Sequence, residues 1–180
     1  MIKDYKKRLL ICAIIILLGI ALDQYIKWLC VKHLKPIGSV PFIRNVLQFT
    51  YVENRGAAFG MLQNQRWVFM AVSTLAIVGM CAFLFTLKNK EDTFLAIALS
   101  LVISGGIGNM IDRVALGYVV DMIDISPLFP FAVFNVADSF VCVGAALMTL
   151  AFILQWRKEA QAEKNAQIPA SREEGDSHDS

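Results

Sequence analysis

Histidine is nearly missing from this chain: His33 and His178 are the only two, and His178 lies in the polar C-terminal stretch. A Ser-His-Asp or Cys-His catalytic site would have to rest on His33 alone. No HExxH or other His/Cys ligand cluster occurs, so no metal site is expected. Cysteine is sparse too. Cys12, Cys30, Cys81 and Cys142 are far apart, have apolar neighbours and form no CxxC, which excludes a zinc knuckle or a redox motif. They read as small buried apolar residues. Charge is scarce at 18% of residues, with a net value of +2. The basic residues form no patch interleaved with aromatics, so no nucleic-acid partner is expected. No cofactor is implied.

What fills the sequence instead is apolar: 57% of residues are hydrophobic, too many for an ordinary soluble globule. A basic start, "MIKDYKKR", leads into the apolar residues 9–22. This resembles the opening of a signal peptide, but no small-x-small cleavage site follows. An uncleaved first membrane helix to about Trp28 is expected. Neither Cys12 nor Cys30 follows a small residue, so neither reads as a lipoprotein acceptor. Residues 67–87 are uncharged and span about 31 Å as a helix, one bilayer core. Residues 94–111 predict a third helix and residues 131–156 a fourth. Between the first two helices, "VLQFTYVEN" is β-prone and follows Pro36, Gly38 and Pro41. The fold expected is therefore mainly α and integral to the membrane: four transmembrane helices with a small β-containing extracytoplasmic loop region. Residues 1–158 would form the four-helix membrane domain, and residues 159–180 a polar, disordered cytoplasmic tail. Lys3, Lys6, Lys7, Arg8, Lys88, Lys90, Arg157 and Lys158 fall on one side of four spans, which predicts cytoplasmic termini.

The unusual polar residues then share one depth. Counted from the cytoplasmic ends at the standard rise, Asp23 lies about 21 Å up helix one and Asn109 about 22 Å up helix three. Asp112 and Arg113 follow one turn later, and Asp138 lies about 27 Å above the inner face. Asp121, Asn54 and Arg55 belong to outer connections. Ionisable residues within a membrane are costly unless paired or hydrated, and they mark functional sites. The plain alternative is that they tie helices together: Asp23 or Asp112 with Lys27 or Arg113, and Asn109 across a small-residue contact at Gly105, Gly106 and Gly108. For Asp138 no cation stands nearby in sequence, which favours chemistry.

The chemistry left is that of paired carboxylates. Asp121 and Asp138 can approach if the connection folds back. Two like charges at a site of low dielectric do not both ionise, so one keeps a proton while the other stays anionic. Such a pair hydrolyses an amide without a metal or a nucleophilic side chain. Asn135, at i−3 from Asp138, could orient the carboxylate or donate to an oxyanion. Spacing alone leaves Asp124 of "VVDMID" as an alternative to Asp121. A Ser-Lys pair of Lys27 with Ser104 or Ser139 is a minor option.

Four stretches in order resemble the motifs of the lipoprotein signal peptidases, the type II signal peptidases of bacteria. They are "LDQYIKWL" with Asp23 and Lys27; "ENRGAAFGML" with Asn54, Gly56, Ala57, Ala58, Phe59 and Gly60; "GGIGNMIDRVALGYVVDMI" with Asn109, Asp112, Arg113, Gly117 and Asp121; and "FNVADS" with Asn135, Ala137 and Asp138. The resemblance covers residues 9–144. It implies an aspartic endopeptidase of the bacterial cytoplasmic membrane, multi-pass, with its active site near the outer face. It also implies diacylglyceryl prolipoproteins as substrates, cut just before the lipidated cysteine, with membrane lipid as the other partner. Asp121 and Asp138 match the catalytic pair, in preference to Asp124. Asp23, Lys27, Asn54, Gly56, Asn109, Asp112, Arg113 and Asn135 match positions that shape the site or bind substrate. Met122 stands where the family commonly has Phe, a difference of packing. Two other classes compete. A small proton-coupled transporter would need polar groups spread across the bilayer, whereas the lower halves of helices one and four are oily. A non-catalytic scaffold would tolerate Asp138→Asn.

Overall fold

A computed structural model describes residues 2–56 and 66–173 of the chain. Four α-helices and three short strands follow one another. They are α1 (Ile2–Leu29), extended by a π-helical turn (Cys30–Leu34), β1 (Ser39–Ile43), β2 (Leu47–Asn54), α2 (Arg66–Thr86), α3 (Thr93–Ala115), β3 (Val119–Asp124) and α4 (Val136–Glu173). The strands form one antiparallel sheet in the order β1-β2-β3. Residues 57–60 of "GAAFG" lie outside the described residues.

Among the described residues, three helical stretches are long and apolar enough to cross a membrane: Asp4–Leu34, Thr93–Ala115 and Val136–Asn165. In α2 the apolar stretch, Met70–Thr86, is shorter. Leu10, Leu17 and Leu18 of α1, Val72, Leu75 and Val78 of α2, and Val143, Phe152 and Ile153 of α4 all face outward. A chain with so many large apolar side chains on its surface is suited to lipid rather than water.

α3 is the central helix and packs against α1, α2 and α4. Glycines on the α3–α4 seam bring the backbones together. A Cβ on Gly105 would collide with the backbone carbonyl of Ala137, and one on Gly144 would come within 2.8 Å of the Ala98 carbonyl. Gly106 faces Ile77 of α2 instead. Gly108 faces Asp23 of α1, so the small-residue contact expected from sequence is present but divided among three partner helices. At the end of the bundle away from the sheet, Tyr5 Oη donates to the Phe85 carbonyl at 2.9 Å, and buried Arg8 donates to the carbonyls of Leu87 and Asn89. These α1 side chains satisfy carbonyls left over where α2 ends.

Two boundaries differ from the sequence reading. The fourth helix begins at Val136, not near residue 131, because Phe134 is extended and pairs with Ile123 of β3. At the other end α4 continues as helix past residue 158 to Glu173, where a disordered tail was expected. Up to Gln167 its Ala, Glu, Lys and Gln residues are good helix formers, and a helix continued from a long apolar one has no nucleation cost. β3 was not foreseen. It is buried on both faces, so it lacks the alternation that marks a half-exposed strand.

Candidate active site

Gly117 controls where the second carboxylate goes. The amides of Leu116 and Gly117 both reach back to the Asp112 carbonyl, at 2.7 and 3.3 Å, and Gly117 has φ +85°. That left-handed turn ends α3 and suits glycine, which has no Cβ to clash. The chain then reverses immediately into β3. Asp112 reinforces the reversal, since its Oδ2 accepts the Val120 amide at 3.0 Å. β3 pairs with β2, setting Asp121 opposite Val52 and Val119 opposite Asn54.

"FNVADS" is a helix start in which the cap and the carboxylate hold each other. Asn135 Oδ1 accepts the Asp138 amide at 2.9 Å, and Asp138 Oδ2 accepts the Asn135 amide at 3.1 Å. This is the reciprocal capping arrangement, with Asp in the place of the usual Glu. Asn135 is thus the cap of α4 rather than a residue on its face, as i−3 spacing had suggested. With Oδ1 occupied by the Asp138 amide, Nδ2 must turn outward. It donates to Asp121 Oδ1 at 2.7 Å and to Asn109 Oδ1 at 3.1 Å. One fully buried asparagine therefore ties Asp121 to Asp138. Both ends of its amide are engaged by these partners.

Every carboxylate oxygen of the pair receives a donor. Asp121 accepts from Asn135 and, at 3.0 Å, from Asn54 Nδ2. Asp138 accepts from the Asn135 amide and, at 2.7 Å, from Asn109 Nδ2. Asn54 is itself held by the Gly56 amide, which donates to its Oδ1 at 3.0 Å. Burial above all, with the Asp138 charge, pushes the Asp121 carboxyl up to about 6 against the opposing pull of the Asn54 and Asn135 donors. Asp124, the sequence alternative, is employed elsewhere. It accepts from Gln48 at 2.7 Å, Thr50 at 2.8 Å and the Ser126 amide at 2.9 Å. These hydrogen bonds outweigh the effect of burial and hold it down at about 2. It braces β2 against β3.

Beneath the pair lies a buried ionic layer. Lys27 Nζ is 2.9 Å from Asp23 Oδ2 and 3.0 Å from Asp112 Oδ2, and it donates to Asn109 Oδ1 at 2.9 Å. An ammonium has three protons, and all three are used. This removes the Ser-Lys option: Lys27 is committed, and Ser139 donates to the Asn135 carbonyl at 3.0 Å. Ser104 Oγ is buried and unpartnered, close to Gly19. With its oxygen held by Lys27 and Asn135, the Asn109 amide presents its NH2 to Asp138 in a fixed sense. Asp23 Oδ1 also accepts the Ala137 amide at 2.9 Å, so α1 helps to cap α4. Gly108 makes room for this carboxylate, since a Cβ there would lie 2.6 Å from Asp23 Oδ2. Arg113 lies within electrostatic reach of Asp138, Asp121 and Asp112, and its Nη1 is 3.4 Å from the Asn109 carbonyl.

All ten sequence-selected residues thus belong to one connected region. Asp121 and Asp138 are bridged; Asn54, Asn109 and Asn135 hold them; Asp23, Lys27 and Asp112 form the layer below. Arg113 adds charge beside them, and Gly56 supports Asn54. Gln24 was missed. Its Nε2 reaches Asp112 Oδ1 at 2.9 Å, the Gly108 carbonyl at 3.1 Å and Asp23 at 3.2 Å. The only sequence signal was its place beside Asp23 at the same depth.

A mainly helical, lipid-suited fold that binds one buried and one half-buried aspartate to a common amide at one end of its helices defines the class of membrane-built aspartic hydrolases. Comparison with known proteins narrows the class. The family model for signal peptidase (SPase) II matches residues 15–154. A lipoprotein signal peptidase of Caldanaerobacter subterraneus subsp. tengcongensis is 48% identical over 75% of this chain and 90% of its own length. One from Streptococcus agalactiae is 43% identical over 88% and 99%. A solved bacterial membrane enzyme superposes with TM-score 0.70 at 31% identity, covering 79% of this chain and 87% of that one. The chain belongs to the signal peptidase II family, a family of aspartic peptidases.

Proposed function

We propose that this peptidase removes signal peptides from diacylglyceryl-modified prolipoproteins by cutting before the lipidated cysteine, with Asp121 and Asp138 as its catalytic pair. The observation that carries the assignment is the Asn135 bridge, which holds both carboxyls in one hydrogen-bonded unit. We assign the shared proton to Asp121: burial disfavours both anions, but Asp138 lies in the first turn of α4, where the helix N-terminus favours a carboxylate. Asp138 takes a proton from water as the water oxygen attacks the scissile carbonyl carbon. Asp121 gives its proton to the carbonyl oxygen, forming a tetrahedral diol. Collapse re-forms the C=O. The C–N bond breaks as the proton on Asp138 passes to the departing nitrogen, and Asp121 recovers its own from the diol. Asn54, Asn109 and Asn135 fix both carboxyls through this cycle.

α2 completes a set of four spans on this reading, with residues 1–158 as the membrane peptidase unit. The basic residues at the helix ends favour cytoplasmic termini in a bacterial cytoplasmic membrane and a site near the outer face. Asp23 and Asn109 lie within about two turns of the ends of α1 and α3, and Asp138 lies in the first turn of α4, so the site is at the sheet-bearing end. A substrate signal peptide is itself a membrane helix, and its acyl chains hold the cysteine at that boundary. A proton conduit is disfavoured by the buried apolar cluster of Cys12, Leu84, Leu87, Leu95, Leu99 and Ile103 that packs farther along the bundle.

The test is a gel-shift cleavage assay on a diacylglyceryl prolipoprotein with Asp121→Asn and Asp138→Asn. Each variant should insert and fold but lose at least about a thousand-fold in turnover. Full turnover by either rejects the pair.

A further inference from the structure

We infer that the connection between β3 and α4, residues 125–134, is an anchor that inserts into the outer leaflet of a phospholipid bilayer and sets the depth of the catalytic pair. Its sequence, "ISPLFPFAVF", has no charged residue. Leu128, Phe129 and Phe131 are 59%, 47% and 43% exposed although they belong to no helix. Phe129 and Phe131 meet edge to face at 5.7 Å, and Phe131 and Phe134 do so at 5.9 Å. A run of aromatic rings exposed on a loop marks a surface meant for an apolar partner.

Lipid is the partner that the surroundings favour. The patch continues the lipid-facing surface: Val114 and Leu116, exposed at the end of α3, belong to the same end of the bundle. Near the same end of α1, exposed Tyr25 and Trp28 stack at 6.0 Å, and Lys32 stands 5.0 Å above the Trp28 ring. Aromatics topped by a cation are the marks of the headgroup level. The loop therefore starts at the height where the bilayer begins.

The loop is coupled to the site at both ends. Phe134 exchanges backbone hydrogen bonds with Ile123 at 2.7 and 3.0 Å, and its carbonyl also accepts the Met122 amide at 3.0 Å. Asp121 directly precedes Met122, and Asn135 directly follows Phe134. The depth reached by the rings thus fixes the depth of the bridge between the two carboxyls. This consequence for catalysis rests on the proposed function; the lipid contact does not.

The experiment uses the full chain with Trp28, Trp67 and Trp156 changed to Phe and with Phe131→Trp added, reconstituted in phosphatidylcholine–phosphatidylglycerol vesicles. The introduced indole is then the sole tryptophan. Bromine on the acyl chains should reduce its emission at least about two-fold, and aqueous iodide should leave it unchanged. Quenching by iodide without quenching by bromolipid overturns the inference, as does quenching by neither, which would mean a protein occupant. Separately, Leu128→Ser with Phe129→Ser in the otherwise unaltered chain should raise KM for a vesicle-embedded prolipoprotein at least about five-fold with kcat unchanged. If bromolipid quenches and KM does not move, the link between anchor and site is overturned. If no variant or parent cleaves the substrate, the proposed function fails while the quenching result still stands.

Discussion

Asn54→Ala isolates one hydrogen bond to one carboxyl. Asn54 Nδ2 donates to Asp121 Oδ2 at 3.0 Å, and this donor is the largest influence holding the Asp121 pKa down against burial. Removing it destabilises the anion and leaves the neutral acid little affected, so the pKa must rise. A hydrogen bond to a charged group contributes about 1.5–3 kcal/mol, and one pH unit corresponds to about 1.36 kcal/mol. The limb of the pH–rate profile governed by Asp121 should therefore move up by about 1–2 units. In the proposed cycle Asp121 is the acid, so this is the alkaline limb, and the variant keeps activity to higher pH. Asn54→Asp should move it further, because a carboxylate replaces the donor. The measurement is kcat/KM for a diacylglyceryl prolipoprotein across the pH range, which reports the free enzyme. An alkaline limb that stays within about 0.3 unit of the parent, or that moves down, refutes the assignment of Asp121 as the proton-bearing member.

Lys27→Met strands two buried carboxylates, Asp23 and Asp112, and should cost about 3–5 kcal/mol in thermal unfolding followed in detergent. Adding Asp112→Asn should recover part of that loss; a single variant as stable as the parent would contradict the ionic layer. Gly105→Ala drives a methyl into the Ala137 carbonyl, next to Asp138. Overpacking of about 1–3 kcal/mol should lower Tm by about 2–12 °C and reduce turnover more than ten-fold. An unchanged Tm with full activity would show that the α3–α4 seam tolerates the extra carbon.

Much of this was legible because the signals are local. Long apolar runs marked the helices, and the rise of a helix put Asp23, Asn109 and Asp138 at one depth before any contact was known. "FNVADS" carries its own capping arrangement. The glycines of "GGIGN" announced a close seam, although not that Gly106 would face α2 while Gly105 and Gly108 face α4 and α1. Gln24 and β3 escaped. A glutamine beside an aspartate has no periodic signature, and a strand buried on both faces has no alternation.

The sequence by itself determined the helical, lipid-suited class of the chain, the depth of its polar residues and the chemistry they could support, since hydropathy and helical rise act over neighbouring residues. In the sequence, the choice of Asp121 over Asp124 rests on family resemblance. The tertiary structure gives the two carboxyls different surroundings. Three residues apart on β3, one carboxyl meets Asn54 and the Asn135 bridge, while the other is taken by Gln48, Thr50 and Ser126. Most of those partners arrive from distant parts of the chain through sheet register and the turn at Gly117, and pairings of that range leave no mark in the spacing of residues.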